Sequence, residues 1–467
     1  MNLIIVSIFS ILFLALALYR LDWAILLMIA ALPTYLLRFK VAGLPSTALE
    51  VMILVSFTIW FLRSFLPRIK NIFKKNTERL NYPFSLEIIL LIIIAFVAAG
   101  VAGFSSSALG IWKAYFFEPI LVFILIFNVF KSKKDWTKIL WALLISAAAV
   151  SLLAIFQKMT GLLIANPFWA QAGARRAVSF FGYPNAVGLY LGPLVMIFIG
   201  WLLSYNWKNV QEQLGQKTFI ATTIIISLLA IYSARSEGAL IGLVAGLIIF
   251  GLFAGRRERL ATFILLIIVI GGTFVFSPSR DFIIQKLTFQ DLSSQIRKQQ
   301  WKETLIMLNH GHFGLGAGLS NYQNAVAPYH QPGLFFNSDN LPNFDAELRA
   351  NATLRAKYWQ PVEIYMYPHN IFLNFWSELG LAGALLFVWI IIKYLYLSLK
   401  MVVAYGRENK NEKYLALGLM AAMIVIIVHG LVDVPYLKND LAVMFWLLLA
   451  LVGEIGLDYR RGQELKN

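Results

Sequence analysis

Residues 218–254 read TFIATTIIISLLAIYSARSEGALIGLVAGLIIFGLFA, two uncharged apolar runs separated by Ser233-Ala234-Arg235-Ser236-Glu237. A helix needs about 17–25 such residues to cross ~30 Å of hydrocarbon, and each run comes close to that length. Inside hydrocarbon the backbone must satisfy its own hydrogen bonds, which a helix does and a loop does not. Polar and apolar positions do not alternate from Thr218 to Tyr232, so the strand pattern of a membrane barrel is excluded.

The rest of the chain follows the same rule. Its 467 residues are 59% hydrophobic and only 14% charged, with a mean hydropathy of +0.71, far from the roughly 25% charged composition of soluble domains. Zero cysteines exclude disulfide scaffolds, thiolate metal sites and cysteine nucleophiles. The net charge of +16 would suit nucleic acid only if it formed a basic face on a soluble domain. The charges instead sit in short loops between apolar spans, where lysine and arginine set orientation; nucleic acid is not an expected partner.

Thirteen spans are predicted, at about 2–19, 23–37, 48–66, 84–104, 112–130, 139–157, 186–204, 218–233, 238–254, 260–277, 370–398, 414–432 and 440–456. Basic loops follow the third (Arg68, Lys70, Lys74, Lys75, Arg79), fifth (Lys131, Lys133, Lys134, Lys138), seventh (Lys208, Lys217), ninth (Arg256, Arg257, Arg259) and eleventh (Lys400, Arg407, Lys410, Lys413). Arg460, Arg461 and Lys466 end the series. All follow odd-numbered spans, so they share one face, which the positive-inside rule makes cytoplasmic. The C-terminus is then inside and the N-terminus outside. The first span lacks the basic leader and small-residue cleavage site of a signal peptide.

The expected fold is an all-α polytopic helix bundle of about 12–13 membrane helices with one large extracytoplasmic loop. Residues 1–277 form its first part, 278–367 the loop and 368–467 the C-terminal helices and tail. The loop mixes helical pattern (Asp291 to Leu308, Asn343 to Tyr358) with turns such as Gly314 to Gly318 and Gln331 to Gly333, and it is where a polar substrate would be handled. No internal repeat is visible, unlike transporters built from duplicated halves.

The sharpest local feature is Pro368-His369-Asn370, nine residues, then Gly380-Leu381-Ala382-Gly383. Proline suits a first helical position, so His369 is expected in the first turn of span eleven. There the free N–H groups and positive dipole end favour anions and a neutral imidazole fit to act as a base. At about 100° per residue, Gly380 and Gly383 fall within about 40° of that face and would let the helix pack closely on a neighbour. A lone histidine at a helix end is, on the bland reading, an interfacial residue.

Arg235 is costly in so short a hairpin unless paired or at the interface. It either pairs with Glu237 or aims its fork at phosphate. Arg297, in Gln295-Ile296-Arg297-Lys298-Gln299-Gln300-Trp301, lies on an amphipathic outer helix, where a solvated surface role competes with a binding one. The glycines from Gly314 to Gly318 lack the lysine and hydroxyl ending of a P-loop and read as a tight turn near the membrane surface. Arg175 and Arg176, ahead of Asn185, fit either a second anion contact or interface anchoring.

Lys113, Glu118 and Glu378 are intramembrane charges with either functional or pairing roles. His310, His312 and His330 show no zinc-helix spacing with Asp339 or Asp345. His429 and Asp433, at the outer end of span twelve, could orient a catalytic group or close the bundle.

Taken in order, these residues resemble the O-antigen ligase and polymerase family of bacterial polysaccharide assembly, over about residues 85–456. The elements are His369-Asn370 with Gly380-x-x-Gly383, Arg235 with Gly238-Ala239-Leu240, Arg297 with Trp301 and the Gly314 to Gly318 turn, and Asn185 opening span seven. Ser236-Glu237 is a departure, since family members more often run arginine straight into glycine.

The resemblance implies a glycosyltransferase of the cytoplasmic membrane that moves a glycan from undecaprenyl pyrophosphate to an acceptor on the outer face, with inversion, without metal or cofactor. His369 would be the base and Arg235 and Arg297 the pyrophosphate clamp, supported by Asn370, Gly380, Gly383, Arg175, Arg176, Asn185 and Asp433. The acceptor would be a glycan, a lipid or a protein, which leaves ligase, polymerase and protein O-oligosaccharyltransferase open. A transporter of lipid-linked glycans, or a scaffold in an envelope assembly, are the rival classes.

Overall fold

The computed structural model describes residues 3–41, 44–67, 82–205, 213–275, 285, 288–408 and 410–464. The predicted basic loop after span three, Lys208, Lys466 and the end of span ten lie outside the described residues. Described helices are α1 (Leu3–Tyr19), α2 (Leu21–Ala30), α3 (Ala48–Trp60, continued by a π turn to Phe65), α4 (Ser85–Val101) and α5 (Ser106–Val129). They continue as α6 (Lys133–Thr160), α7 (Asn185–Ser204), α8 (Leu214–Ala234), α9 (Glu237–Ala254), α10 (Arg256–Val275) and α11 (Leu292–Met307). Two short helices, α12 (Phe344–Ala350) and α13 (Ala352–Tyr358), precede α14 (Ile371–Glu408), α15 (Lys410–Gly430) and α16 (Asn439–Glu464).

Among the described residues nine helices are long and apolar enough to cross a membrane, and three shorter ones are apolar. With α10, whose first turn carries Arg256, Arg257, Glu258 and Arg259, they correspond to the thirteen predicted stretches, and the chain is a polytopic helical membrane protein. The second stretch is corrected. It is a helix of only ten residues followed by a 3-10 turn, Leu32–Leu36, with Pro33 at its start. Proline has no N–H to extend the α-helical ladder, so the helix stops at Ala30. An antiparallel pair follows, β1 (Arg38–Val41) and β2 (Leu44–Thr47), with Arg38 opposite Thr47. A second pair joins β3 (Gly333–Phe335) to β4 (Trp359–Pro361) in the outer segment.

Polar contacts join the helices at both ends of the bundle. On the basic-loop face, Lys133 pairs with Glu412, Lys413 Nζ donates to the Ala254 carbonyl at 2.6 Å, and Arg63 donates to the Leu18 carbonyl at 2.6 Å. Lys113 and Glu50, at the opposite ends of α5 and α3, pair at 2.6 Å.

α7 and α16 are the central helices. In their most apolar windows 83% and 89% of residues are buried, so they are enclosed by protein, whereas only 33% of the α9 window is buried and the rest of its apolar surface is uncovered. Close approach at the centre uses small residues, as expected where no hydrophobic effect drives helices together. A Cβ on Gly200 would lie 2.5 Å from the Tyr414 carbonyl oxygen and 2.7 Å from Gly418 Cα, so α7 and α15 touch backbone to backbone. Above this crossing an aromatic cluster joins α5, α14 and α16, with the Phe375 and Phe387 rings stacked at 3.8 Å and Tyr436 edge-on to Phe375 at 5.1 Å. It lies beneath the end of the bundle that carries His369.

Candidate functional site

The histidine motif folds differently from its sequence expectation. α14 begins at Ile371, and Asn370 is its cap: the Asn370 side-chain oxygen accepts from the Phe372 and Leu373 N–H groups at 3.0 Å each. Asparagine is a strong capping residue, which is why the helix starts there and not at Pro368. Asn370 Nδ2 also donates to the Leu431 carbonyl at 3.1 Å, fixing the motif to the segment after α15. His369 therefore stands before the helix, with φ of 46°. A left-handed non-glycine residue is uncommon, and such strain gathers at functional sites.

The His369 ring is placed by its neighbours. The preceding carbonyl, of Pro368, accepts from Trp301 Nε1 at 2.9 Å, while Tyr365 and Tyr367 pack edge-on at 5.2 and 4.9 Å between centroids. Its Nδ1 lies 3.8 Å from Asp433 Oδ1 and is buried without a hydrogen-bond partner. That separation is too long for a hydrogen bond, so the contact is electrostatic.

Asp433 is 1% exposed and sits between α15 and α16. Its other oxygen accepts from Asn185 Nδ2 at 3.1 Å, and its Oδ1 accepts from the Val434 N–H at 2.8 Å. Burial pushes its carboxyl up, but His369 and then His429 outweigh that and hold it below the usual carboxylate range. His429 lies behind α9, where a Cβ on Gly238 would come within 2.6 Å of its ring.

From Asn185 the network runs to the arginines. Asn185 Oδ1 accepts from Arg176 at 3.0 Å, and the same guanidinium donates to the carbonyls of Ala234 at 2.9 Å and Arg235 at 3.1 Å. It thereby caps the C-terminal end of α8, where cations are favoured, and lies 5.1 Å from the Trp169 ring centre. Arg235 takes the left-handed position that ends α8, with φ of 51°, and its side chain is exposed. It makes no ion pair with Glu237. Among the described residues the guanidinium of Arg235 has no hydrogen-bond partner, and neither does that of Arg297.

Arg297 and Trp301 are one helical turn apart on α11 and so share a face; the Trp301 bond to Pro368 turns that face toward His369. Burial lowers the pKa of Arg176, with Glu237 opposing the shift and Arg235 and Arg297 adding to it. Burial likewise raises the Tyr365 hydroxyl, Glu363 adding to the shift and Arg297 opposing it. The fields of Arg176, Arg235 and Arg297 thus overlap, and two of the three guanidinium groups are left with their forks open. Such an arrangement suits an anion with oxygens on more than one phosphorus.

Arg175 does not join them. Its guanidinium donates to the carbonyls of Lys158 at 3.0 Å and Met159 at 3.2 Å, closing the end of α6.

The glycines are corrected as well. Gly380 is not on a continuous helical face; it breaks α14 with φ of 75° and ψ of −179°. The turn from Gly314 to Gly318 docks into this break. Leu381 N–H donates to the Gly314 carbonyl at 3.0 Å, and Ala317 N–H to the Ser377 carbonyl at 2.6 Å. A Cβ on Gly380 would lie 2.2 Å from the Gly314 oxygen, and one on Gly316 (φ 70°) 2.7 Å from the Ser377 oxygen. Gly383 packs against Leu379 and Ile94.

In the rest of the outer segment, the expected helix from Asn343 to Tyr358 is two helices, split where Asn351 caps the second. His330 pairs with Glu303 at 3.2 Å, and His310 and His312 contact the backbone carbonyls of Ile306 and Gly316. Glu118 lies against Asn439 at 3.4 Å. The roles of Tyr365 and Tyr367 had no spacing signal in the sequence; that of Trp301 was present as its one-turn offset from Arg297.

No curated protein matches the chain. Residues 222–388 match the family model described as O-antigen ligase, a segment that contains Arg235, Arg297, His369 and both glycine elements. Asn185 and Asp433 lie outside it and reach the same site through the fold. Over this segment, about a third of its length, the chain is similar to the O-antigen ligase family.

Proposed function

We propose that the protein transfers a glycan from undecaprenyl pyrophosphate to an acceptor hydroxyl on the outer face of the cytoplasmic membrane, with inversion and without metal. The observation that carries this reading is the gathering of His369, Arg235 and Arg297 at one end of the bundle, with Asp433 behind the histidine. In the proposed step Nδ1–H of His369 points at Asp433 and Nε2 takes the proton of the acceptor hydroxyl. The freed oxygen attacks the anomeric carbon from the face opposite the pyrophosphate. The carbon–oxygen bond to the pyrophosphate breaks, and its electron pair leaves with undecaprenyl pyrophosphate.

The growing negative charge falls to Arg235 and Arg297, fixed donors of the kind that stabilise a departing anion. Two cations supply what a divalent ion would otherwise supply. The polyprenyl tail would lie along the lipid-facing sides of α8 and α9, where Leu229, Ile241 and Val244 are exposed beneath Arg235.

The test is single-turnover release of undecaprenyl pyrophosphate by detergent-solubilised protein, given a lipid-linked glycan and a crude envelope acceptor fraction with EDTA present. Release by the wild type and none by His369→Ala is expected. Equal release by His369→Ala would remove the base assignment, and donor binding without release, paired with flipping of the lipid-linked glycan, would favour a transporter. Acceptor class divides the ligase, polymerase and protein O-oligosaccharyltransferase readings, and the ligase-like one is preferred on the family match.

A further inference from the structure

Beside the histidine, on the other side of Tyr367, the bundle holds a cavity of about 100 Å³. A buried water needs roughly 10–15 Å³ on this measure, so the space holds on the order of seven to ten water-sized groups, the size of one sugar ring. Its wall includes Tyr115, Ser320, Tyr322, Tyr367, Asn374 and Glu378. Asn374 and Glu378 are one turn apart on α14 and share a face.

Asn374 is 0% exposed and Glu378 5%, yet among the described residues Asn374 Oδ1, Asn374 Nδ2 and Glu378 Oε2 have no hydrogen-bond partner. Each such group costs about 1–3 kcal/mol if left unmet, and nearly all buried polar groups in native proteins are met. All three belong to residues that line one cavity, which points to a polar occupant.

The chemistry of the wall limits what that occupant is. Among the described residues no lysine or arginine lines the cavity to favour phosphate. The amide offers both a donor and an acceptor, the Glu378 carboxyl group an acceptor, and three tyrosine rings offer flat apolar faces. Hydroxyls in different directions around a ring with apolar C–H faces match this set. Tyr367 has one side on the cavity and packs against His369, so a sugar seated there would have its neighbouring hydroxyl beside the base. The interlock of Gly380 with the Gly314 to Gly318 turn also brings Ser320 to the same wall as Glu378.

We infer that this cavity is a monosaccharide subsite for the acceptor, with Asn374 and Glu378 as its recognition residues. As an acceptor subsite it rests on the transferase reading; as a sugar site it does not.

The natural chain has no cysteine, and Met366, on the cavity rim, is 72% exposed. Met366→Cys can therefore be labelled alone by a methanethiosulfonate reagent in the full-length protein, with no donor present. Glucose, galactose, glucosamine and N-acetylglucosamine are the probes, with inorganic pyrophosphate as control. At least one sugar is expected to slow labelling while pyrophosphate does not. Glu378→Gln or Asn374→Ala in the same background should weaken protection about three- to tenfold, the loss of one hydrogen bond.

Protection by none of the sugars, protection equal with pyrophosphate, or protection unchanged in both variants would overturn the inference. Glu378→Gln is isosteric and guards against a folding defect in Asn374→Ala. In the transfer assay the same variants should raise acceptor KM about three- to tenfold at unchanged kcat; a fall in kcat alone would overturn the acceptor role. Absence of transfer by the wild type would sink the transferase reading while leaving the labelling result to decide the sugar site.

Discussion

His369 and Asp433 face each other across 3.8 Å, with the second oxygen of Asp433 bound to Asn185 at 3.1 Å. In the proposed mechanism a carboxylate held in place from behind, and separated from the imidazole by less than 1 Å more than a hydrogen bond requires, would orient the ring and stabilise its charged form once a proton arrives. Catalytic hydrogen bonds are often long before substrate binds and tighten in the complex.

Asp433→Asn should therefore lower kcat by roughly 10²–10⁴, the range of general acid–base assistance, with donor binding nearly unchanged. Rates and donor affinity measured on the same preparation check this. A change confined to donor affinity would place Asp433 in the anion site instead.

The low pKa of Asp433 also has a sign. Its folded value is depressed, so the stability it contributes is complete above the unfolded value of about 3.9 and is lost only as pH falls below it. The difference in thermal unfolding between wild type and Asp433→Asn should accordingly stay flat from pH 8 to pH 5. It should shrink on further acidification.

Arg297→Lys and Arg235→Lys keep the charge and lose the fork. Each should weaken transfer about 10- to 100-fold, from a charge-assisted hydrogen bond worth about 1.5–3 kcal/mol. Arg175→Ala is the contrast, since its guanidinium is occupied by the end of α6; it should lower the unfolding temperature and leave donor KM alone. Donor titrations of the three variants separate the two classes.

Gly380→Ala should cost at least about 1–3 kcal/mol for the left-handed backbone alone, with a further clash against the Gly314 carbonyl. Limited proteolysis should then cut the segment from Gly314 to Ser320, released from α14. An unchanged digestion pattern would mean that the interlock is not what holds this segment.

Trp301→Phe removes the N–H donated to Pro368 and leaves most of the ring. Transfer should fall about two- to tenfold, a neutral hydrogen bond's worth, with the fold intact by circular dichroism.

The apolar spans were readable because a membrane imposes one rule on every residue inside it: length and absence of charge suffice, whatever the neighbours are. Pro33 was the exception, ending α2 where hydropathy alone continued to Leu37. Sidedness came from charges in loops, a property of the chain and not of its packing. The identity of His369, Arg235 and Arg297 as candidates was also local, because each is a polar residue at a costly place.

What no local rule contained was partnership. Asn370 beat Pro368 as the start of α14 because its oxygen found two free N–H groups, and that put His369 outside the helix in a left-handed conformation. Asp433 became the histidine's partner, Arg176 became a cap on α8 and Arg175 a cap on α6 through contacts between segments distant in sequence. Gly380 looked like a packing position on a straight helix and proved to be the break into which Gly314 to Gly318 fits. Sequence alone thus determined which residues form the long apolar helices, because solvent acts on each residue separately. Only the tertiary structure decided which of those residues meet, because hydrogen bonds and close contacts depend on two positions at once.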